Sequence, residues 1–116
     1  MIQLTMSEET AQIVAKACEF YARIRMGQFG EIIWNCAEHH RVDNQQEAER
    51  AWLEFRKHIY PELHGIGHSY GIGKFEDADR AYDVYQVVRR EFGDWRTPFT
   101  LLDELPVCRR IEDIKP

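Results

Sequence analysis

The 116-residue sequence has no Cys-x-x-Cys pair, no apolar run near membrane length and no surplus of basic residues. Each absence removes a class of function. The three cysteines, Cys18, Cys36 and Cys108, are odd in number and widely spaced. Neither a zinc ribbon nor a thioredoxin-type site is therefore expected, and a reducing cytoplasm suits the chain. A membrane helix needs about 20 consecutive apolar residues, and no run approaches that. The stretch Met1–Met6 lacks the basic region and long apolar core of a secretion signal. Fifteen basic residues against 20 acidic ones leave a formal net charge of −5. That argues against bulk binding to duplex nucleic acid while leaving room for a local basic pocket. There is no G-x-G-x-x-G between strand and helix, no P-loop, no Ser-His-Asp signature and no paired-carboxylate motif. No cofactor is expected, and the balance leans away from an enzyme.

What remains fits one globular domain spanning residues 1–116. The hydrophobic fraction is 44% and the charged fraction 30%, near those of soluble globular proteins. Ile2, Leu4 and Met6 alternate with Gln3 and Thr5, the period of a half-buried strand. Ser7 then caps a helix over about Glu8–Met26, with Glu8 and Glu9 in its first turn and an apolar stripe of Ile13, Ala17, Phe20, Tyr21 and Ile24. Gly27 and Gly30 mark a bend or break. A second helical stretch covers about Gln28–Glu38, followed by a polar connection. Asn44 caps a third helix carrying Ala48, Ala51, Trp52, Phe55, His58 and Ile59, which Pro61 stops. Asp77 caps a fourth over about Ala78–Phe92, with Ala81, Tyr82, Val84, Tyr85, Val88 and Phe92, and Gly93 ends it. Residues 107–111 alternate again, with Val107, Arg109 and Ile111 on one face. An isolated first strand would leave its backbone groups unpaired, so this segment is its best partner. The expected class is α+β, mainly helical: about four helices with a small antiparallel sheet formed by the N- and C-terminal segments.

Between the third and fourth helices lies a 15-residue stretch, Pro61–Phe75, that holds four of the seven glycines. Loops of that length are usually functional or mobile. Gly65-Ile66-Gly67 and Gly71-Ile72-Gly73 flank His68-Ser69-Tyr70. Glycines let backbone approach a ligand closely and turn N–H groups towards an anion. Against this, Glu76, Asp77 and Asp79 sit where a phosphate would meet the helix start, and a loop that merely covers the core has the same composition.

The basic set is mostly arginine, 11 against 4 lysines. The pairs Arg23/Arg25, Arg89/Arg90 and Arg109/Arg110, with Tyr70, Tyr82, Tyr85 and Trp95, are the ingredients for gripping a nucleotide: guanidinium for phosphate and ring for base. They are equally the residues enriched at protein interfaces. His64 and His68 have the spacing of a zinc pair, but not on a helix, and Cys36, His39 and His58 are competing third ligands. Cys18 and Cys36 read as small hydrophobes on helices. Cys108 precedes Arg109-Arg110, whose charge would favour an activated thiol, a weaker reading than the zinc pair.

Three blocks, FYARIRMGQF (Phe20–Phe29), SYGIG (Ser69–Gly73) and AYDVYQVVR (Ala81–Arg89), cover about a quarter of the chain. In them the sequence resembles small accessory proteins of phages and prophages, a group with no mapped catalytic or binding positions. The resemblance implies a protein made in the bacterial host cytoplasm that acts in counter-defence by binding.

The leading expectation is a homo-oligomer that sequesters a small phosphorylated, nucleotide-like ligand without chemistry. Tyr70, Gly71, Gly73, Arg89 and Arg109 are its expected contacts. The alternatives are a protein-binding inhibitor of a host defence complex or nuclease, whose acidic charge mimics nucleic acid, and a metal-dependent enzyme using His64 and His68.

Overall fold

Local chemistry builds the helices where the sequence places them. The computed structural model describes residues 2–36 and 44–92, arranged as α1 (Glu8–Arg25), α2 (Glu31–Cys36), α3 (Gln45–Lys57) and α4 (Glu76–Glu91). Ser7 Oγ accepts the Thr10 N–H at 3.2 Å, and Asn44 Oδ1 accepts the Glu47 N–H at 3.0 Å. Each satisfies one of the amides that a helix start leaves without a partner. In α1 the first turn holds Glu8 and Glu9 and the last holds Arg23 and Arg25, both signs matched to the helix dipole.

The end of α1 is set by glycine. Gln28 N–H donates to Arg23 O and Gly27 N–H to Ile24 O, the paired bonds that close a helix on a left-handed residue. Gly27 has φ +90, and a Cβ there would lie 2.4 Å from Leu63 Cδ1. Backbone angle and close approach thus both demand glycine.

α1 and α4 run antiparallel and make the principal helix contact. The C-terminal end of α1 meets the start of α4 through Tyr21, Arg25 and Asp77. Its N-terminal end meets the close of α4 through Gln12, Ala15, Lys16, Tyr85, Val88 and Arg89. Their seam is built from small residues. Ala22, Met26 and Ala78 form the buried cluster, with Tyr70, Phe75, Ala81 and Tyr82 packed on it. Of the α1 stripe expected from Ile13, Ala17, Phe20, Tyr21 and Ile24, Phe20 and Ile24 are partly buried, but Ala17 is exposed, Ile13 is 67% and Tyr21 48% exposed, and the fully buried positions are Ala15 and Ala22. Alanines let two helix backbones approach closely, and the bulkier residues are turned aside.

The expected sheet is corrected. No strand occurs among the described residues. Residues 2–6 are irregular, and Ile2 and Leu4 remain 85% and 75% exposed. An alternating pattern specifies a strand only where a partner ladder takes its N–H and C=O groups. The proposed partner, 107–111, lies outside the described residues, as do Gly93 and the end of the second helical stretch beyond Cys36.

The start of α4 also differs from expectation. Phe75 occupies the cap position without a side-chain hydrogen bond. Asp77 sits inside the first turn, where its Oδ2 is engaged by α1.

Candidate functional site

The glycine-rich loop is tied down from within. Arg56, on α3, is 1% exposed. Its Nη1 donates to Gly27 O at 3.1 Å and His68 O at 2.8 Å, and its Nη2 to Gly65 O at 2.6 Å. Burial pushes this guanidinium below its ordinary value, yet arginine stays charged, so three carbonyl dipoles stand in for solvent. Tyr70 N–H donates to Met26 O at 2.9 Å, returning the loop to the end of α1. The Tyr70 ring meets Tyr60 and Phe75 edge-on, each with centroids 5.3 Å apart. Gly73, with φ +98, donates its N–H to both Asp79 carboxylate oxygens at 3.1 Å. An anion arriving at that amide would have to displace a carboxylate already there. Gly71 is exposed, with nothing near the position of a Cβ.

The expected ligand contacts do not gather in one place. Tyr70, Gly71 and Gly73 lie beside the start of α4, and Arg89 lies in its last turn. At 1.5 Å of rise per residue, Glu76 and Arg89 are roughly 20 Å apart along the helix. Arg109 lies outside the described residues. His64 and His68 do approach each other, their rings stacked with centroids 6.3 Å apart. His68 Nδ1 accepts the His64 backbone N–H at 2.8 Å, which takes up one of the nitrogens a metal could use. Among the described residues no group of three or more His, Cys, Asp and Glu could hold a metal ion. Cys18 is partly buried, and burial pushes its thiol up. Cys36 is exposed instead of buried as expected.

Arg89 belongs to a different feature, a shallow, open slot of about 220 Å³ between α1 and α4. Gln12, Ala15 and Lys16 form one wall and Tyr85, Val88, Arg89 and Phe92 the other. It is smaller than a typical small-molecule site and open to solvent. The lining is almost wholly apolar, with Lys16 on one wall and Arg89 on the other. Arg89 is oriented by its own helix: Nη2 donates to Gln86 Oε1 at 3.1 Å and Nη1 to Tyr85 Oη at 3.4 Å, with the guanidinium carbon 5.2 Å from the Tyr85 ring centre. Burial chiefly raises the Tyr85 phenol above its ordinary value; the Arg89 hydrogen bond lowers it and one with Glu19 raises it. Tyr85 is thereby held between a cation and a carboxylate.

Sequence reasoning named Arg89 and did not name Gln12 or Lys16, which line the same slot. The available signal was the line Ala11, Ala15, Cys18, Ala22, Met26, spaced at four, three, four and four residues. Small residues at that spacing mark the face that another helix covers. Gln12 and Lys16 border it.

Comparison with protein families, characterised proteins and solved structures returns no match, so the slot is read from its own chemistry. Among the described residues, no helix is long and apolar enough to cross a membrane.

Proposed function

We propose that this chain is a non-catalytic binding protein that captures a small phosphorylated ligand, nucleotide-like in having a flat apolar body, in the slot between α1 and α4. The observation that carries the reading is the pairing of an apolar lining with Lys16 and Arg89 on opposite walls. Tyr85 and Phe92 offer ring faces to a base, worth about 1–3 kcal/mol per stacked base. A guanidinium and an ammonium suit a phosphate, the first as a planar fork and the second as a compact charge. Among the described residues that line the slot, no nucleophile is paired with a base. The phage-type resemblance of three sequence blocks supports a sequestering role in the host cytoplasm.

This reading keeps Arg89 from the sequence expectation and replaces the loop residues with Lys16, Gln12 and Tyr85. Calorimetric titration of the chain with nucleoside monophosphates, cyclic nucleotides and ADP-ribose tests it. Arg89→Ala and Lys16→Ala are each expected to weaken binding about tenfold or more. Val88→Trp, which fills the slot, is expected to abolish binding while circular dichroism stays unchanged. Binding that survives Val88→Trp and both alanine changes sinks the slot as the site. Tyr70→Ala serves as the control at the other end of α4.

A further inference from the structure

The turn formed by residues 64–68 of the glycine-rich loop is closed from two sides. On its exposed side the His64 N–H donates to His68 Nδ1 at 2.8 Å, and the His68 N–H donates to Gly65 O at 3.4 Å. On its inner side Arg56 holds the carbonyls of Gly65 at 2.6 Å and His68 at 2.8 Å. Two of the three acceptors of this buried guanidinium thus belong to a turn that a histidine ring keeps shut. Gly65, with φ +84, supplies the left-handed residue the turn requires.

The ring bond has a protonation state built into it. A neutral imidazole offers one nitrogen as an acceptor and carries a proton on the other, whereas the cation offers no acceptor. The bond from His64 N–H therefore needs a neutral His68 with its proton on Nε2. A proton on Nδ1 would set two donors against each other. The titratable and charged groups that face His68 act in the same direction. From the loop itself, the His64 ring is stacked on it with centroids 6.3 Å apart. From α3, the Arg56 guanidinium lies behind the His68 carbonyl. Among the described residues neither histidine is paired with a carboxylate, so no negative charge stands ready to receive the imidazolium.

We infer that residues 64–68 form an acid-sensitive clasp on the glycine-rich loop: a proton on His68 Nδ1 opens the turn and withdraws two of the three carbonyls that Arg56 holds. Imidazole side chains ordinarily titrate at about pH 6.5, so the loop is closed at neutral pH and released in mild acid. The third acceptor, Gly27 O, stays with Arg56, and α3 keeps its hold on the end of α1. The Tyr21–Asp77 and Arg25–Asp77 bonds between α1 and α4 involve none of these groups. The opening is therefore local to the loop, and it does not depend on what the slot binds.

Nuclear magnetic resonance on the nitrogen-labelled full chain tests this. At neutral pH His68 is expected as the tautomer protonated on Nε2. As the pH falls through the range in which imidazole ordinarily titrates, protection of the His64 amide from hydrogen exchange, corrected for the intrinsic pH dependence of exchange, should drop about fivefold or more. His68→Phe accepts no hydrogen bond at any pH. It should show low protection of that amide throughout and no step, with circular dichroism confirming that the helices are retained. His64→Phe keeps both partners of the bond, the backbone N–H and the His68 ring, and should keep the step. A His64 amide equally protected in neutral and acidic solution overturns the inference. So does a step that persists in His68→Phe, or a parent His68 protonated on Nδ1 at neutral pH. The last is read on the parent alone and needs no variant to fold.

Discussion

Arg56 makes three hydrogen bonds to backbone carbonyls that no apolar side chain of its size could make. A buried guanidinium is costly to remove from water, and it is retained where its donors are matched by acceptors. Here the acceptors are the carbonyls of Gly27, Gly65 and His68, which join the end of α1 to two points of the long loop. Arg56→Met keeps the bulk and loses all three bonds, leaving carbonyls without donors. We expect it to cost about 3 kcal/mol, read as a lower urea midpoint. Arg56→Lys should fall between the two, since an ammonium cannot reproduce the planar fork. An unchanged midpoint for Arg56→Met would remove this account of the loop. Nothing in the sequence separated Arg56 from the other ten arginines, because its role depends on carbonyls 9, 12 and 29 positions away.

The contact between α1 and α4 has a polar latch at one end and the slot at the other. At the latch, Tyr21 Oη donates to Asp77 Oδ2 at 2.6 Å, and Arg25 Nε to the same oxygen at 3.2 Å. Arg25 continues to Tyr60 Oη at 2.9 Å and stacks 3.7 Å from the centre of the Phe75 ring. The Tyr21 hydrogen bond, then that from Arg25, holds the Asp77 carboxyl below its ordinary value against the opposing effect of burial. A carboxyl lowered in the folded chain contributes stability that is fully present above its unfolded value. That contribution is lost as the pH falls through the ordinary carboxylate range towards the lowered value. Asp77→Asn should therefore flatten the acid limb of a thermal-stability profile while leaving its shape near neutrality unchanged. An acid limb identical to the parent's would show that the latch contributes nothing. Asp77 was legible in the sequence as a helix-start residue, but its partner on α1 was not, since the two are 56 positions apart.

Among the described residues, the buried hydrophobic set consists of Ala15, Ala22, Met26, Phe29, Leu63 and Ala78, while twelve large apolar side chains are exposed. Burial of apolar area is the main favourable term in folding, so a chain with this balance gains from any association that covers its surface. Ile32, Phe55 and Ile59 are three of the twelve. A dimer whose monomer is less stable has a melting temperature that rises with chain concentration. We expect that rise for the parent, measured by calorimetry over a hundredfold concentration range, and its loss in Phe55→Ser. A melting temperature independent of concentration would mean that no such association contributes to stability.

The sequence by itself determined where α1, α3 and α4 form and how two of them begin. Those outcomes rest on neighbours within a few positions: the Ser7 and Asn44 caps, the acidic first turns, and Gly27 as the residue able to take a positive φ and close α1. Only the tertiary structure decided which faces are covered. Helical period is the same for every face, and the phase was settled by the close approach that Ala15, Ala22 and Ala78 permit, not by the larger residues at Ile13 and Tyr21. Tertiary contacts also made the Pro61–Phe75 loop a tied cover, and they placed Lys16 across from Arg89. Both depend on groups far apart in the chain, whose meeting is a matter of packing and is not encoded in any local pattern.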